Sequence, residues 1–169
     1  MRPIITRENT CCFSGYRPEK LPWGQNEDDA RCQSLKEKLF DVVTAVYDAG
    51  IRYFVCGMAL GSDIYFCETV LRLKDMYSDV TLEAALPCEE QAARWTEAQR
   101  SRYFRLLQQC DKETYVGRRY TSDCMMRRNM YMVDKSSLLI TIYDGRFGGT
   151  MHTVGYAESN ELEIIQLKP

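Results

Sequence analysis

The chain has 169 residues, of which 45% are hydrophobic and 27% charged, and its formal net charge is −2. This length and composition are typical of a globular protein and predict one domain covering residues 1–169. The charge gives no overall argument for nucleic acid, and no apolar run reaches the ~20 residues that span a bilayer. Because the first ten residues also lack the apolar core of a signal peptide, we expect a cytoplasmic protein without membrane contact.

Cysteine and histidine usage argues against disulfides and metal sites. None of the eight cysteines has the C-x-x-C spacing of a zinc knuckle or redox pair, so most are expected to be small buried hydrophobic residues. His152 is the only histidine, which excludes metal sites built from two or more histidines. No pattern in the sequence requires a metal ion or a cofactor.

Apolar runs alternate with amphipathic segments along the whole chain. Strands are predicted at 10–13, 52–56, 81–86, 113–116, 138–143 and 162–167, and helices at 27–49, 64–71, 89–108, 124–135 and 150–159. Such alternation predicts parallel strands joined by right-handed helical crossovers. The expected fold is α/β, with three Rossmann-like layers: a mainly parallel central sheet of about six strands and helices on both faces.

Three turns that follow predicted strands carry the candidate binding residues. The first begins with Ser14-Gly15-Tyr16-Arg17, the second spans 57–63, and the third contains Asp144-Gly145 and Gly148-Gly149-Thr150. Glycine lets a ligand approach the backbone, Thr150 can cap a helix, and free N–H groups at a helix start attract phosphate. The alternative is an ordinary strand-to-helix turn, in which Ser62 or Asp63 is simply an N-cap. In a parallel sheet these turns lie at one edge and should converge on one crevice.

Four motifs, in order, resemble the SLOG superfamily of Rossmann-like proteins, which includes the SMF/DprA DNA-processing proteins and the Lonely Guy phosphoribohydrolases. They are CCFSGYRPEKLPWG, CGMALGSD, RRNMYMVDKSSLLITIYDG and GGTMHTVGYA, and together they are most similar to the YpsA-type bacterial branch. The resemblance implies a nucleotide or nucleotide-like ligand. A homodimer is a weaker expectation from the same resemblance.

The resemblance leaves catalysis uncertain. Arg128 matches an arginine used by the Lonely Guy enzymes to cleave an N-glycosidic bond, but Thr153 stands where their catalytic glutamate would be. A threonine cannot supply the carboxylate that this chemistry needs. If the protein is an enzyme, a nucleotide N-glycosidic or phosphate hydrolase is expected. Its catalytic candidates are Arg128, Asp144 and Glu68.

Single-stranded DNA binding is a further alternative. The turn at 57–63 looks like the S-G-x-A-x-G-x-D turn of the DNA-processing proteins, with Cys56 in place of the serine. The segment 94–128 also contains nine Lys/Arg and four Asp/Glu residues, an excess that suits a nucleic-acid backbone. A solvated helix face explains the same charges.

The sequence therefore predicts binding or sensing of a nucleotide at the carboxyl edge of the sheet, with its phosphate held at the helix start after Gly148. No cofactor is required by this interpretation. The predicted ligand-binding residues are Ser14, Gly15, Tyr16, Arg17, Gly57, Met58, Ala59, Gly61, Asp63, Arg128, Asp144, Gly145, Gly148, Gly149 and Thr150.

Overall fold

The computed structural model describes residues 3–169, so residues 1 and 2 of the predicted domain lie outside the described residues. It contains a six-stranded sheet in the order β4-β3-β2-β1-β5-β6, and every neighbouring pair is parallel. The strands are β1 (Thr10–Gly15), β2 (Tyr53–Cys56), β3 (Thr81–Leu86), β4 (Lys112–Tyr115), β5 (Leu138–Ile142) and β6 (Glu163–Leu167). The strand order reverses between β1 and β5, where the chain crosses back over the sheet.

Five α-helices cover the two faces of the sheet, which confirms the predicted three-layer Rossmann-like fold. They are α1 (Ala30–Asp48), α2 (Ser62–Met76), α3 (Glu97–Leu107), α4 (Cys124–Asp134) and α5 (Gly149–Ser159). Side chains alternate between the faces along each strand. Phe54 therefore packs in the larger core with α1, α2 and α3, whereas Val55 packs in the smaller core with α4 and α5.

Two predicted helix starts were too early because local capping decides where a helix begins. The first helix begins at Ala30 rather than 27, since the Asp29 side chain accepts from the Arg31 N–H at 2.8 Å. The third begins at Glu97 rather than 89, because Thr96 and its capping box start the helix and 89–95 form turns.

All eight cysteines are free thiols and seven are buried, as predicted. None of the helices described is long and apolar enough to cross a membrane.

A buried carboxylate attaches α4 to the sheet. Glu83 on β3 is fully buried and accepts hydrogen bonds from Tyr131 of α4 and from Lys135, the residue that follows α4, both at 2.6 Å, and from Thr114 of β4 at 2.7 Å. The Tyr53 hydroxyl also donates to it. Burial alone raises the pKa of Glu83, but these hydrogen bonds outweigh it and hold the pKa at about 2. The carboxylate is therefore charged and fully paired in the folded protein.

We expect Glu83→Gln to lower the free energy of unfolding by about 3 kcal/mol, because the Lys135 ammonium loses its partner and the buried hydroxyl groups lose a charged acceptor. Urea denaturation at neutral pH measures this change. Glu163→Gln, at an exposed carboxylate on β6, is the matched control and should change stability by less than about 0.5 kcal/mol.

The pH dependence gives an independent check of the same carboxylate. Its pKa is about 2 in the folded protein against an ordinary value of 4.5, so the unfolded chain binds the proton more readily. The stability that ionised Glu83 contributes is complete above about pH 4.5 and is lost as the pH falls toward 2. The stability difference between wild type and Glu83→Gln should shrink over this range. A constant difference would contradict the assignment.

Candidate functional site

A cavity of about 230 Å³ lies where the strand order reverses, at the carboxyl ends of β1 and β5. Four separate segments form its wall: the turn after β1, the turn between β2 and α2, the first half of α4, and the start of α5. It is lined by Ser14, Gly15, Tyr16, Arg17, Glu19, Lys20, Ala59, Asp63, Met125, Arg128, Asn129, Gly149 and Thr150. The three turns identified in the sequence thus meet at one crevice.

Tyr16 joins these turns through its backbone and its side chain. Its N–H donates to the Ile142 carbonyl at the end of β5, and its own carbonyl accepts from both the N–H and the hydroxyl of Ser62 at the start of α2. The Tyr16 hydroxyl donates to the Asp144 carboxylate and accepts from the Arg146 N–H at 3.1 Å. One buried residue therefore fixes the relative positions of the loops after β1, β2 and β5.

The start of α2 differs from the expected N-cap arrangement. Gly61 is the N-cap, and its φ of 86° is a conformation that favours glycine. A Cβ there would lie 2.9 Å from both the Pro18 ring and the Tyr16 carbonyl, so only glycine allows the two loops to pack this closely. Asp63 does not cap the helix; its carboxylate instead accepts from the Ala59 N–H at 3.0 Å and faces the cavity.

The start of α5 presents unpaired backbone donors to the cavity. Gly148 is the N-cap with a φ of 150°, so Thr150 lies one residue inside the helix rather than capping it. The N–H groups of Gly149, Thr150 and Met151 donate no hydrogen bond to any other residue in the described range. A Cβ on Gly149 would meet nothing within 4 Å. The helix start is therefore open at Gly149, as an anion site requires, while the Lys20 ammonium, which donates to the Phe147 carbonyl, lies beside Gly148.

Arg128 forms the floor of the cavity and is only 3% exposed. Its guanidinium donates to the carbonyls of Gly57 and Ala85 and to the Gln91 side chain, and its Nε donates to the Asn129 side chain at 2.8 Å. Burial lowers the pKa of Arg128, and Arg17 lowers it further. The nearby Asp63 carboxylate opposes this fall, and a guanidinium remains protonated despite such shifts, so the buried charge is balanced in part by Asp63 while its hydrogen-bond partners are neutral.

The charged side chains that line the cavity carry a net positive charge. Arg17, Lys20 and Arg128 are the cations and Glu19 and Asp63 the carboxylates. The Arg17 side chain makes no hydrogen bond or ion pair with any residue of 3–169, so its guanidinium is available to a ligand. Asp63 is 5% exposed; burial raises its pKa, while Arg128 and Arg17 oppose that rise. A ligand that brings negative charge would balance the excess.

Several predicted residues lie outside the cavity wall. Met58 is fully buried with a φ of 58°, and the Gly57 carbonyl accepts a hydrogen bond from Arg128. Both residues therefore hold the turn in place without lining the cavity. The Asp144 carboxylate is held by Tyr16 and Arg146, which keep its pKa at about 2. Glu68 pairs with Arg102 in a separate cluster. Gly61, Gly145 and Gly148 shape loops without lining the cavity.

The position that matches the Lonely Guy glutamate carries no free reactive group. Thr153 is buried, and its hydroxyl donates to the Gly149 carbonyl one turn earlier in α5 at 3.0 Å. Its hydroxyl is thus engaged within the helix and does not face a ligand.

Four residues that line the cavity were absent from the sequence prediction: Glu19, Lys20, Met125 and Asn129. The sequence did contain an indication of Lys20, because this residue lies in the same proline-containing loop as Arg17. Met125 was interpreted as core packing, yet it is half-buried at the cavity wall, whereas Met132 does lie in the core. Only the orientation of α4 against the sheet distinguishes these two methionines.

Comparison with known proteins agrees with this class of fold. The profile described as the YspA SLOG family matches residues 11–167, so the chain belongs to this family. It is 30% identical over 150 residues to the SPbeta prophage-derived protein YoqJ of Bacillus subtilis, covering 80% of this chain and 88% of that protein. It is also 27% identical over 149 residues to the UPF0398 protein YpsA of the same organism, covering 86% and 82%.

Two solved structures share the fold. DNA processing protein A (DprA) from Streptococcus pneumoniae aligns with a TM-score of 0.62 at 11% identity over 94% of this chain. DNA processing protein A from Helicobacter pylori, described for its single-stranded DNA binding mode, aligns with a TM-score of 0.61 at 14% identity over 95% of this chain. This chain spans 50% and 65% of the lengths of those two chains.

We expect Gly57→Ala to lower the free energy of unfolding by about 1–3 kcal/mol, because the new Cβ would lie 2.8 Å from the Arg128 guanidinium, which is buried and cannot move freely. Urea denaturation checks the value. Gly155→Ala is the control: its Cβ meets nothing within 4 Å, and alanine within a helix should add up to about 1 kcal/mol. Equal effects at the two glycines would contradict the tight packing of Arg128.

Proposed function

We propose that this protein binds a nucleotide or nucleotide derivative in the cavity at the carboxyl edge of its sheet. The observation that carries the proposal is the open start of α5, where the N–H groups of Gly149, Thr150 and Met151 have no protein acceptor. Backbone donors at a helix start, together with the helix dipole, favour a phosphate group. In this proposal the phosphate lies against Gly149 and Thr150.

The charged side chains support the same ligand class. Arg17 approaches from the β1 turn with a free guanidinium, and Arg128 lies fixed beneath the cavity. An exposed and a buried cation on different elements suit a ligand with a phosphate and a polar remainder, such as a ribose. Asp63 and Glu19 then provide the only carboxylates of the lining residues, and either can accept from a ribose hydroxyl.

We favour binding over hydrolysis because the two carboxylates expected to act in catalysis lie outside the cavity. Of the catalytic candidates Asp144 and Glu68, neither lines the cavity, and each is paired with an arginine elsewhere. Thr153 supplies no carboxylate. Incubation with nucleoside monophosphates followed by chromatography tests this choice, because release of free base or inorganic phosphate would establish the hydrolase alternative instead.

The central test replaces Gly149 with leucine. A Cβ at this position meets no atom within 4 Å and Gly149 lines the cavity, so we expect the variant to fold and its side chain to compete with a phosphate, with circular dichroism checking the fold. Isothermal titration calorimetry with AMP, GMP, CMP and UMP should show binding to the wild type and at least tenfold weaker binding to Gly149→Leu. Gly155→Leu, in the same helix and equally open, is the control that should bind normally.

Arg17→Ala provides a second variant for the same experiment. Loss of a charge-assisted contact should weaken nucleotide binding about tenfold or more, with little change in stability, because this exposed side chain makes no hydrogen bond or ion pair within 3–169 and acts on Asp63 and Arg128 only through its charge. Arg100→Ala removes an exposed charge on α3 and should leave binding unchanged. Absence of binding by the wild type to every nucleotide would refute the proposal.

Single-stranded DNA is a second candidate because most cations of the basic segment are solvent-exposed. Of the nine Lys/Arg residues in the segment 94–128, seven are exposed, whereas Arg102 and Arg128 bind other groups of the protein. The Helicobacter pylori relative in fold adds support for this ligand. An exposed row of arginines can follow a sugar-phosphate backbone without reading its sequence.

Replacing Arg118 and Arg119 together with alanine tests the DNA candidate. If each contacts one phosphate, fluorescence anisotropy with a labelled oligonucleotide should show a salt dependence reduced by about 1.4 in the logarithmic slope. Lys38→Ala, at an exposed lysine on α1, serves as the control. If the wild type does not bind the oligonucleotide at low salt, this candidate is excluded. The double variant should still bind AMP like the wild type, because neither arginine lines the nucleotide cavity.

A further inference from the structure

A second cavity of about 430 Å³ lies beside the first, and Met125 lines both. The remainder of its wall comes from the loop after β3 and from the loop before α4: Glu90, Gln91, Ala93, Arg94, Trp95 and Tyr120. A hydrogen bond of 3.3 Å from Arg128 to the Gln91 side chain joins the floor of the first cavity to the wall of the second. The two spaces are therefore neighbours across the first turn of α4.

Two aromatic side chains, Trp95 and Tyr120, line the second cavity, whereas Tyr16 is the one aromatic residue among the described residues that line the first. Tyr120 is 67% exposed and Trp95 is half-buried. The rings of Trp95 and Tyr103 pack edge to face, with their centroids 5.1 Å apart. The Tyr120 backbone N–H donates to the Glu90 carboxylate at 2.9 Å, which fixes the two loops to each other. The Met125 thioether adds a polarisable surface that suits an aromatic neighbour.

We propose that this aromatic cavity receives the base of the nucleotide whose phosphate lies at the start of α5. The inference rests on the proposed nucleotide-binding function and extends it to a second subsite. Trp95 and Tyr120 supply the stacking surface, Met125 contacts the sugar between the two cavities, and Arg94 and Glu90 offer one donor and one acceptor group at the base edge. Stacking on aromatic side chains accepts every base, so the site selects nucleotides as a class.

Cavity size supports a ligand that occupies both spaces. Small-molecule sites are usually about 300–1,000 Å³. The first cavity, at 230 Å³, is below that range and suits a phosphate with part of a sugar, whereas the second, at 430 Å³, is within it. A ligand with only a phosphate and a sugar would leave the aromatic cavity unused.

The test compares nucleotides with base-free probes on the full chain. By calorimetry, AMP and GMP should bind the wild type at least tenfold tighter than ribose 5-phosphate or inorganic pyrophosphate. Tyr120→Ala should weaken AMP about tenfold while leaving ribose 5-phosphate unchanged. Because the Tyr120 side chain is largely exposed, its loss should not disturb folding. Tyr115→Ala, at an exposed tyrosine of β4 that lines neither cavity, should bind AMP normally.

Tryptophan fluorescence provides a second readout. The chain has two tryptophans, and Trp23 is buried in the core, so a base stacked in the aromatic cavity should quench Trp95. AMP should quench the wild type, and Trp95→Phe should abolish that quenching while the protein remains folded.

The outcomes separate this inference from the proposed function. If AMP and ribose 5-phosphate bind the wild type equally, or if Tyr120→Ala binds AMP as tightly as the wild type, the aromatic subsite is refuted and the phosphate site stands. If no nucleotide binds the wild type, the proposed function fails and the subsite fails with it.

Discussion

The site depends on the way Tyr16 is bound at the end of β1. Its backbone pairs with the end of β5 and the start of α2, and its hydroxyl secures the loop that contains Asp144. A parallel sheet brings strand ends to one edge but does not fix how the following loops are arranged. Here one buried residue supplies that arrangement, because each of its polar groups has a partner in a different segment.

Two buried charges, one on the sheet and one on the helix, position α4. Glu83 on β3 binds Tyr131 in the carboxyl half of the helix and Lys135 just after it, while Arg128 in the first half of the helix donates to carbonyls of the turn after β2 and of β3. Groups of this kind cost much free energy when left unpaired, so the helix has one low-energy orientation. That orientation turns Met125 toward the two cavities.

The fold could be predicted because the strands are nearly continuous apolar runs. The run from Leu138 to Tyr143, buried on both faces along β5, is typical of a central parallel strand, and Gly50 marks the end of the first helix. Helix starts were predicted less well. Those at Ala30 and Glu97 depend on local side-chain capping hydrogen bonds, one from the Arg31 N–H to Asp29 and two in the capping box of Thr96 and Gln99, which apolar spacing does not reveal.

The sequence by itself determined the layers, the parallel sheet and the three glycine-containing turns that meet at the crevice, because these follow from local patterns of burial and backbone freedom. Only the tertiary structure decided which side chains face that crevice. It placed Lys20 and Asn129 at the wall, bound Asp144 to Tyr16 and paired Glu68 with Arg102, since those choices depend on contacts between residues far apart in the chain. Periodicity along a chain carries no information about such contacts.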